Sequence, residues 1–340
     1  MSIEFLTLDK GDRQEIFNEI FRQKNLSPIA VEKDWWVVQT LRMVFDMEMA
    51  KSLVFKGGTS LSKAWGMINR LSEDIDLALD RKYLGFEGDL GKHQVDKLRR
   101  ASNQFIRETF FPKLMKKFEQ AGLIDITFDL PESTQSDKDP QTIELIYPSV
   151  LPQISAYIRP RVLIEFGGRL LYEPYTHRKI NSYVGDYFKG KSFADVPVKI
   201  PCVNVERTFL EKLFLLHEEF QKPEKNIRIN RLSRHLYDIE RIMDSQFAEK
   251  ALAEPDLYQE IVRHRSRLTR INGMDYTRHA PKYINPIPPK NILKSWEADY
   301  KTMQEQMIYG ESLPFKEMIE RLLSLKAKIN ALDWEVELKK

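Results

Sequence analysis

The feature that most constrains this chain is a pair of glycines between two apolar runs, followed by a pair of aspartates. Ser52-Leu53-Val54-Phe55 is short and apolar, as a buried strand is, and Lys56-Gly57-Gly58-Thr59-Ser60 follows directly. Leu61, Ala64, Trp65 and Ile68 then recur at helical spacing, so the glycines fall at a strand-to-helix switch. Glycine lets the backbone turn there without a Cβ clash and come close to a ligand, and the unpaired amides beyond it suit a phosphate.

Downstream, Ser72-Glu73-Asp74-Ile75-Asp76-Leu77-Ala78-Leu79 reads as a second strand. Side chains alternate along a strand, which puts Asp74 and Asp76 on one face, about 7 Å apart. Two carboxylates so placed can converge on a hard divalent cation, Mg²⁺ or Mn²⁺ rather than zinc. A phosphate-holding turn beside a metal-holding pair is the minimum kit for phosphoryl or nucleotidyl transfer. Each half alone has a plainer use, the Gly-Gly as a turn and the D-x-D as a solvated strand face.

A third acid is expected on Val162-Leu163-Ile164-Glu165-Phe166, where Glu165 interrupts an apolar run and a buried carboxylate needs a partner. Asp125 and Asp129 are rivals on a more alternating stretch.

Phe55 to Ala64 together with Arg70 to Leu77 resembles the AbiEii/AbiGii-type nucleotidyltransferase toxins, a branch of the polymerase-β-like superfamily. The gap from Gly58 to Asp74 is longer than the general superfamily pattern but suits this branch. Three further stretches resemble it in order: Val31-Glu32-Lys33-Asp34-Trp35-Trp36, Glu211-Lys212-Leu213, and Arg234-His235-Leu236-Tyr237-Asp238-Ile239.

The resemblance implies an α+β protein with a nucleotidyltransferase-fold mixed sheet flanked by helices, followed by a mostly helical C-terminal domain. It also implies an enzyme that moves a nucleotidyl group from a nucleoside triphosphate to an acceptor such as the tRNA 3′ end, releasing pyrophosphate. The implied setting is a toxin–antitoxin or phage-defence system with a cognate antitoxin. Asp74, Asp76 and Glu165 are then the metal and catalytic acids, and Lys56, Gly57, Gly58, Thr59 and Ser60 the phosphate cradle. Lys212 becomes a charge for the triphosphate, where otherwise it would snorkel past the core. Asp238 either positions Lys212 or the nucleotide, or pairs with Arg234 four residues before it. Nucleotidyl transfer to a protein, or a non-catalytic RNA-binding module, are the competing readings.

At 340 residues the chain has room for two domains, expected at 1–200 (nucleotidyltransferase domain with N-terminal helices) and 201–340 (helical). Helices are expected over residues 9–24, from Ser27-Pro28 onward, over 92–120, and at intervals after Asn204. Strands are expected at 123–130, 143–147 and 161–166, with 131–141 a hairpin loop. Residues 172–201 read as a loop-rich crossing with a short strand at 196–200.

Composition excludes rather than identifies. A single cysteine rules out an internal disulfide and, with no basic-then-apolar leader, points to a cytoplasmic protein. Six scattered histidines offer no zinc pattern, and no stretch is long and apolar enough for a membrane. A net charge of +3 leaves room only for a local basic groove. Arg263, Arg265, Arg267 and Arg270 are the densest such cluster, and Lys33 is a candidate phosphate or acceptor contact.

Overall fold

A computed structural model describes residues 4–24, 26–88, 90–131, 141–152, 158–167, 174–269, 271 and 273–338. The chain divides into two compact units, one of residues 1–65 and 71–203, the other of residues 66–70 and 204–340.

The first unit is built on a mixed seven-stranded sheet in the order β3-β4-β5-β2-β1-β7-β6. The strands are β1 Leu53–Lys56, β2 Asp74–Leu79, β3 Thr127–Asp129, β4 Gln141–Ile146, β5 Arg161–Gly167, β6 Tyr175–Ile180 and β7 Val198–Val203. β2 runs parallel to β5 and β1 parallel to β7, while the remaining neighbours are antiparallel.

Alternation gives the central strands two unlike faces. Leu53, Phe55, Ile75, Leu77, Val162, Ile164 and Phe166 are buried on one. The other carries the half-buried Val54, Lys56, Asp74, Asp76, Leu163 and Glu165. Phe110 packs on Phe166 with ring centres 4.6 Å apart, and Phe105 on the same ring at 6.1 Å. These two rings come from one continuous helical run, Lys92–Phe105, a π turn Ile106–Phe110, and Phe111–Gln120. Each large apolar side chain buried here contributes about 1.5–3 kcal/mol, which fixes the sheet's apolar face inward.

The Pro28–Phe45 helix is buried on nearly every side, charged residues included. Pro28 occupies its first turn and Ser27 Oγ accepts from the Ala30 amide at 3.3 Å.

One strand, β6, went unforeseen, and the short strand expected at 196–200 is shifted to 198–203. Residues 172–201 hold β6 and a short helix, Tyr183–Tyr187, and β7 runs from 198 to 203. β6 reads Tyr-Thr-His-Arg-Lys-Ile because it is an edge strand with most of its side chains exposed, so it has little apolar signal. β7 was expected to stop at Ile200, just before a proline, which cannot donate to a ladder, but it continues through Pro201 to Val203. The strand expected over 123–130 shrinks to Thr127–Asp129 at the other sheet edge. Of the expected hairpin loop, 132–140 lie outside the described residues, as does Tyr172.

The second unit is mostly helical, with principal helices Val205–Gln221, Ser233–Ile242, Pro255–His264, Leu293–Gln306 and Phe315–Asn330. Residues 66–70 count with it: Arg70 bridges Ile308, and the Tyr309 amide donates to the Asn69 carbonyl at 3.1 Å. The sequence carries no periodicity in so short a segment, and the expected 1–200 domain absorbed it.

Candidate active site

The site in the first unit is a row across three strands. Lys56 on β1 lies opposite Asp76 on β2, and Asp76 lies opposite Glu165 on β5. Neighbouring strands are about 4.8 Å apart, so the three share one face, and Asp74 joins them two residues before Asp76.

Gly57 explains the turn. Its φ is +78°, where glycine alone is unstrained. A Cβ there would stand 2.7 Å from Asp76 Cγ and overlap Oδ2, so the Asp76 carboxylate occupies the space a side chain would need. Thr59 Oγ1 donates to the Asp74 carbonyl at 2.6 Å, tying the Gly57–Lys63 helix to the start of β2.

Thr59 and Ser60 were expected in the phosphate cradle. Both are buried, Thr59 bound to Asp74 O and Ser60 beside the Cys202 thiol, which burial pushes up to about 12. What they can offer an anion is backbone amide. Over seven residues the helix supplies little dipole, so most of the counter-charge has to come from cations.

Glu165 is on the polar face and half-buried, so the reason for choosing it, an acid inside a buried run, is corrected. Every second residue of that run faces the other way. Its rivals lie elsewhere: Asp125 is exposed outside any strand, and Asp129 is exposed on edge strand β3, with β4 and β5 between it and β2.

Among the described residues, no three His, Cys, Asp or Glu side chains are drawn together as a metal cluster. The donor chemistry nonetheless fits a hard divalent cation: three carboxylates on one sheet face, one of them held open by Gly57.

In the second unit Asp238 is fully buried between two cations. Arg70 Nε and Nη2 donate to its two oxygens at 2.7 Å each, and Lys212 Nζ lies 2.8 Å from Oδ2. Burial alone would raise the Asp238 pKa, but Arg70 and Lys212 outweigh it and hold the carboxyl well below its usual range. Burial lowers the Lys212 pKa against the pull of Asp238, and it lowers His235, whose Nδ1 lies 3.4 Å from Lys212 Nζ. Asp238 therefore holds Lys212, and the guanidinium across from it belongs to Arg70, which sequence reasoning overlooked. The available signal was an arginine at the end of a loop four residues before paired acids.

Other candidates are absorbed by the fold. Lys33, Glu32 and Asp34 are buried and each is engaged by a protein partner. Glu32 accepts from the Val150 amide at 2.8 Å, Lys33 pairs with Glu73, and Asp34 pairs with Lys63 at 2.7 Å. In the arginine cluster, Arg265 donates to both oxygens of Glu218 and Arg263 Nε reaches the Glu337 carbonyl at 3.3 Å. Arg270 lies outside the described residues.

A family model described as nucleotidyl transferase AbiEii toxin, type IV TA system, matches residues 41–323. No curated protein gives a significant match. Among solved structures the chain is similar to MenT4, a nucleotidyltransferase toxin from Mycobacterium tuberculosis H37Rv. That match has a TM-score of 0.53 and 16% identity, covers 96% of this chain and 91% of that one, and speaks for the fold. JHP933 from Helicobacter pylori aligns with a TM-score of 0.38 and 12% identity over 86% of this chain and 90% of that one. No helix among the described residues is long and apolar enough to cross a membrane. On the strength of a family match over most of its length, this chain belongs to the AbiEii nucleotidyl transferase toxins of type IV toxin–antitoxin systems.

Proposed function

We propose that this nucleotidyltransferase moves a nucleotidyl group from a nucleoside triphosphate to an RNA acceptor, the tRNA 3′ end, blocking translation until a cognate antitoxin intervenes, as a phage-defence device would. The observation that supports it is Asp76 seated in the opening left by Gly57, in one row with Lys56 and Glu165.

The acceptor hydroxyl oxygen bonds to the α-phosphorus as the bond to the β-phosphate oxygen breaks, and pyrophosphate leaves with the electron pair. Asp74, Asp76 and Glu165 would hold Mg²⁺ or Mn²⁺, which when bound neutralises triphosphate charge and acidifies the attacking hydroxyl. Gly57 and Gly58 let phosphate approach the main chain, with the amides of Thr59 and Ser60 next in line. Lys56 brings a positive charge into the row beside Asp76. Lys212 is proposed as a point charge for the triphosphate, with Asp238 as its holder. Positioning and electrostatics carry such a reaction, with little covalent help from protein groups.

The test is incubation of purified protein with total RNA, Mg²⁺ and each α-labelled triphosphate in turn. Label at tRNA 3′ ends is the expected result. Label on protein would move the reading to protein modification, and no label with any triphosphate would overturn transfer.

A further inference from the structure

Two neighbouring charges on the Pro28–Phe45 helix reach two elements of the candidate site. The side chain of Lys33 is 1% exposed, pairs with Glu73 Oε2 and donates to the Arg159 carbonyl at 3.0 Å. Glu73 immediately precedes Asp74. The next residue, Asp34, is 5% exposed and binds Lys63 Nζ at 2.7 Å through one oxygen. Its other oxygen accepts from the Tyr183 amide at 2.8 Å, and Lys63 Nζ also lies over the Tyr183 ring at 3.8 Å. Lys63 closes the helix that Gly57 opens.

The connection between these two anchored points runs through residues 64–73, and the β1–β2 ladder, which ends at Lys56 opposite Asp76, sets their register at the turn. Within the first unit, the glycine helix and β2 touch through Thr59 Oγ1 and Asp74 O. Just past the helix end, Arg178 Nε donates to the Ala64 carbonyl at 2.9 Å and Trp65 Nε1 to the Val203 carbonyl at 3.1 Å, tying it to β6 and β7, while Lys63 ties it to the Pro28–Phe45 helix. Buried ion pairs are weak sources of net stability, because desolvation offsets most of the attraction. They are directional, however, and a pair that joins a third element to two others fixes geometry.

We infer that Lys33 and Asp34 are positioning residues: they clamp the Gly57–Lys63 helix and the Asp74–Asp76 strand to one rigid helix, so that Gly57 and Asp76 stay in contact. The inference rests on the reading of Asp76 as part of the reacting site.

The test compares the wild type with K33M, D34N and the double variant K33M/E73M, with K33R as the conservative replacement and D76N as the control. K33M/E73M removes both charges of the pair together, so it should retain the fold better than K33M alone. The expected result is a kcat at least tenfold lower in K33M, D34N and K33M/E73M, with the triphosphate KM within about twofold of wild type. K33R should recover most of the loss. Hydrogen exchange should quicken in peptides covering 53–63 and 71–79 and stay unchanged across 92–120. Wild-type kcat and unchanged exchange in K33M/E73M, with D76N inactive, would overturn the clamp alone. Full activity in D76N would overturn the reading of the site instead.

Discussion

The carboxylate of Asp76 stands where a side chain on residue 57 would have to be. Gly57 is thus required twice, by its φ of +78° and by the acid packed against it. Gly57→Ala should cost about 1–2 kcal/mol for the left-handed backbone and more for displacing Asp76. Transfer should fall at least a hundredfold. Gly58 has no positive φ, and Gly58→Ala should melt within a degree or two of wild type. Thermal melts and initial rates check both.

Asp238 depends on Arg70 more than on Lys212. Arg70 binds both its oxygens, and Lys212 only one. Arg70→Ala leaves a buried carboxylate with half its compensation and should cost about 3–5 kcal/mol in urea unfolding. Lys212→Ala should cost less, and should raise the triphosphate KM.

Acid should loosen the second unit. Burial, with His279 beside it, depresses the His217 pKa to about 3, so the fold holds His217 neutral. Between pH 6.5 and 3 the unfolded chain binds the extra proton, and stability falls as pH drops through that window. By pH 4.5 the loss from His217 is about 2–3 kcal/mol. Glu218 acts later. Burial would raise it, but Arg265 and His279 bring it to about 2, so its contribution is present above pH 4.5 and lost from there down to 2. Urea midpoints should decline from pH 6.5 downward, and His217→Gln should flatten the upper part of that decline.

Arg265 should behave as a structural residue. It is spent on Glu218, which also takes His279 Nε2 at 3.1 Å. Arg265→Ala should lower the melting temperature and leave the salt dependence of RNA binding unchanged, since no phosphate contact is lost. A slope reduced by about one would return this arginine to an RNA surface.

The strand–glycine–helix–strand core was legible because its signals are local. A short apolar run, two glycines and an alternating D-x-D need no distant partner to be read. Glu165 was chosen for a reason the structure does not support, since it is half-buried on the face it shares with Asp76. A run of Val-Leu-Ile-Glu-Phe hides its alternation, because both faces of β5 carry apolar residues and only pairing with β2 shows where the acid points. Arg70, Lys63 and Glu73 were illegible because their roles are set by partners far away in sequence. β6 was missed because an exposed edge needs no apolar stripe.

The central claim is that Asp76 and Glu165, opposite each other on parallel strands, act in one chemical step. Single-turnover transfer from an α-labelled triphosphate, measured for D76N, E165Q and the double variant, tests it most directly. Each single change should slow transfer by about a thousandfold or more, with the double variant no slower than the worse single, as residues acting as a unit behave. E165Q within threefold of wild type, while D76N is dead, would contradict it.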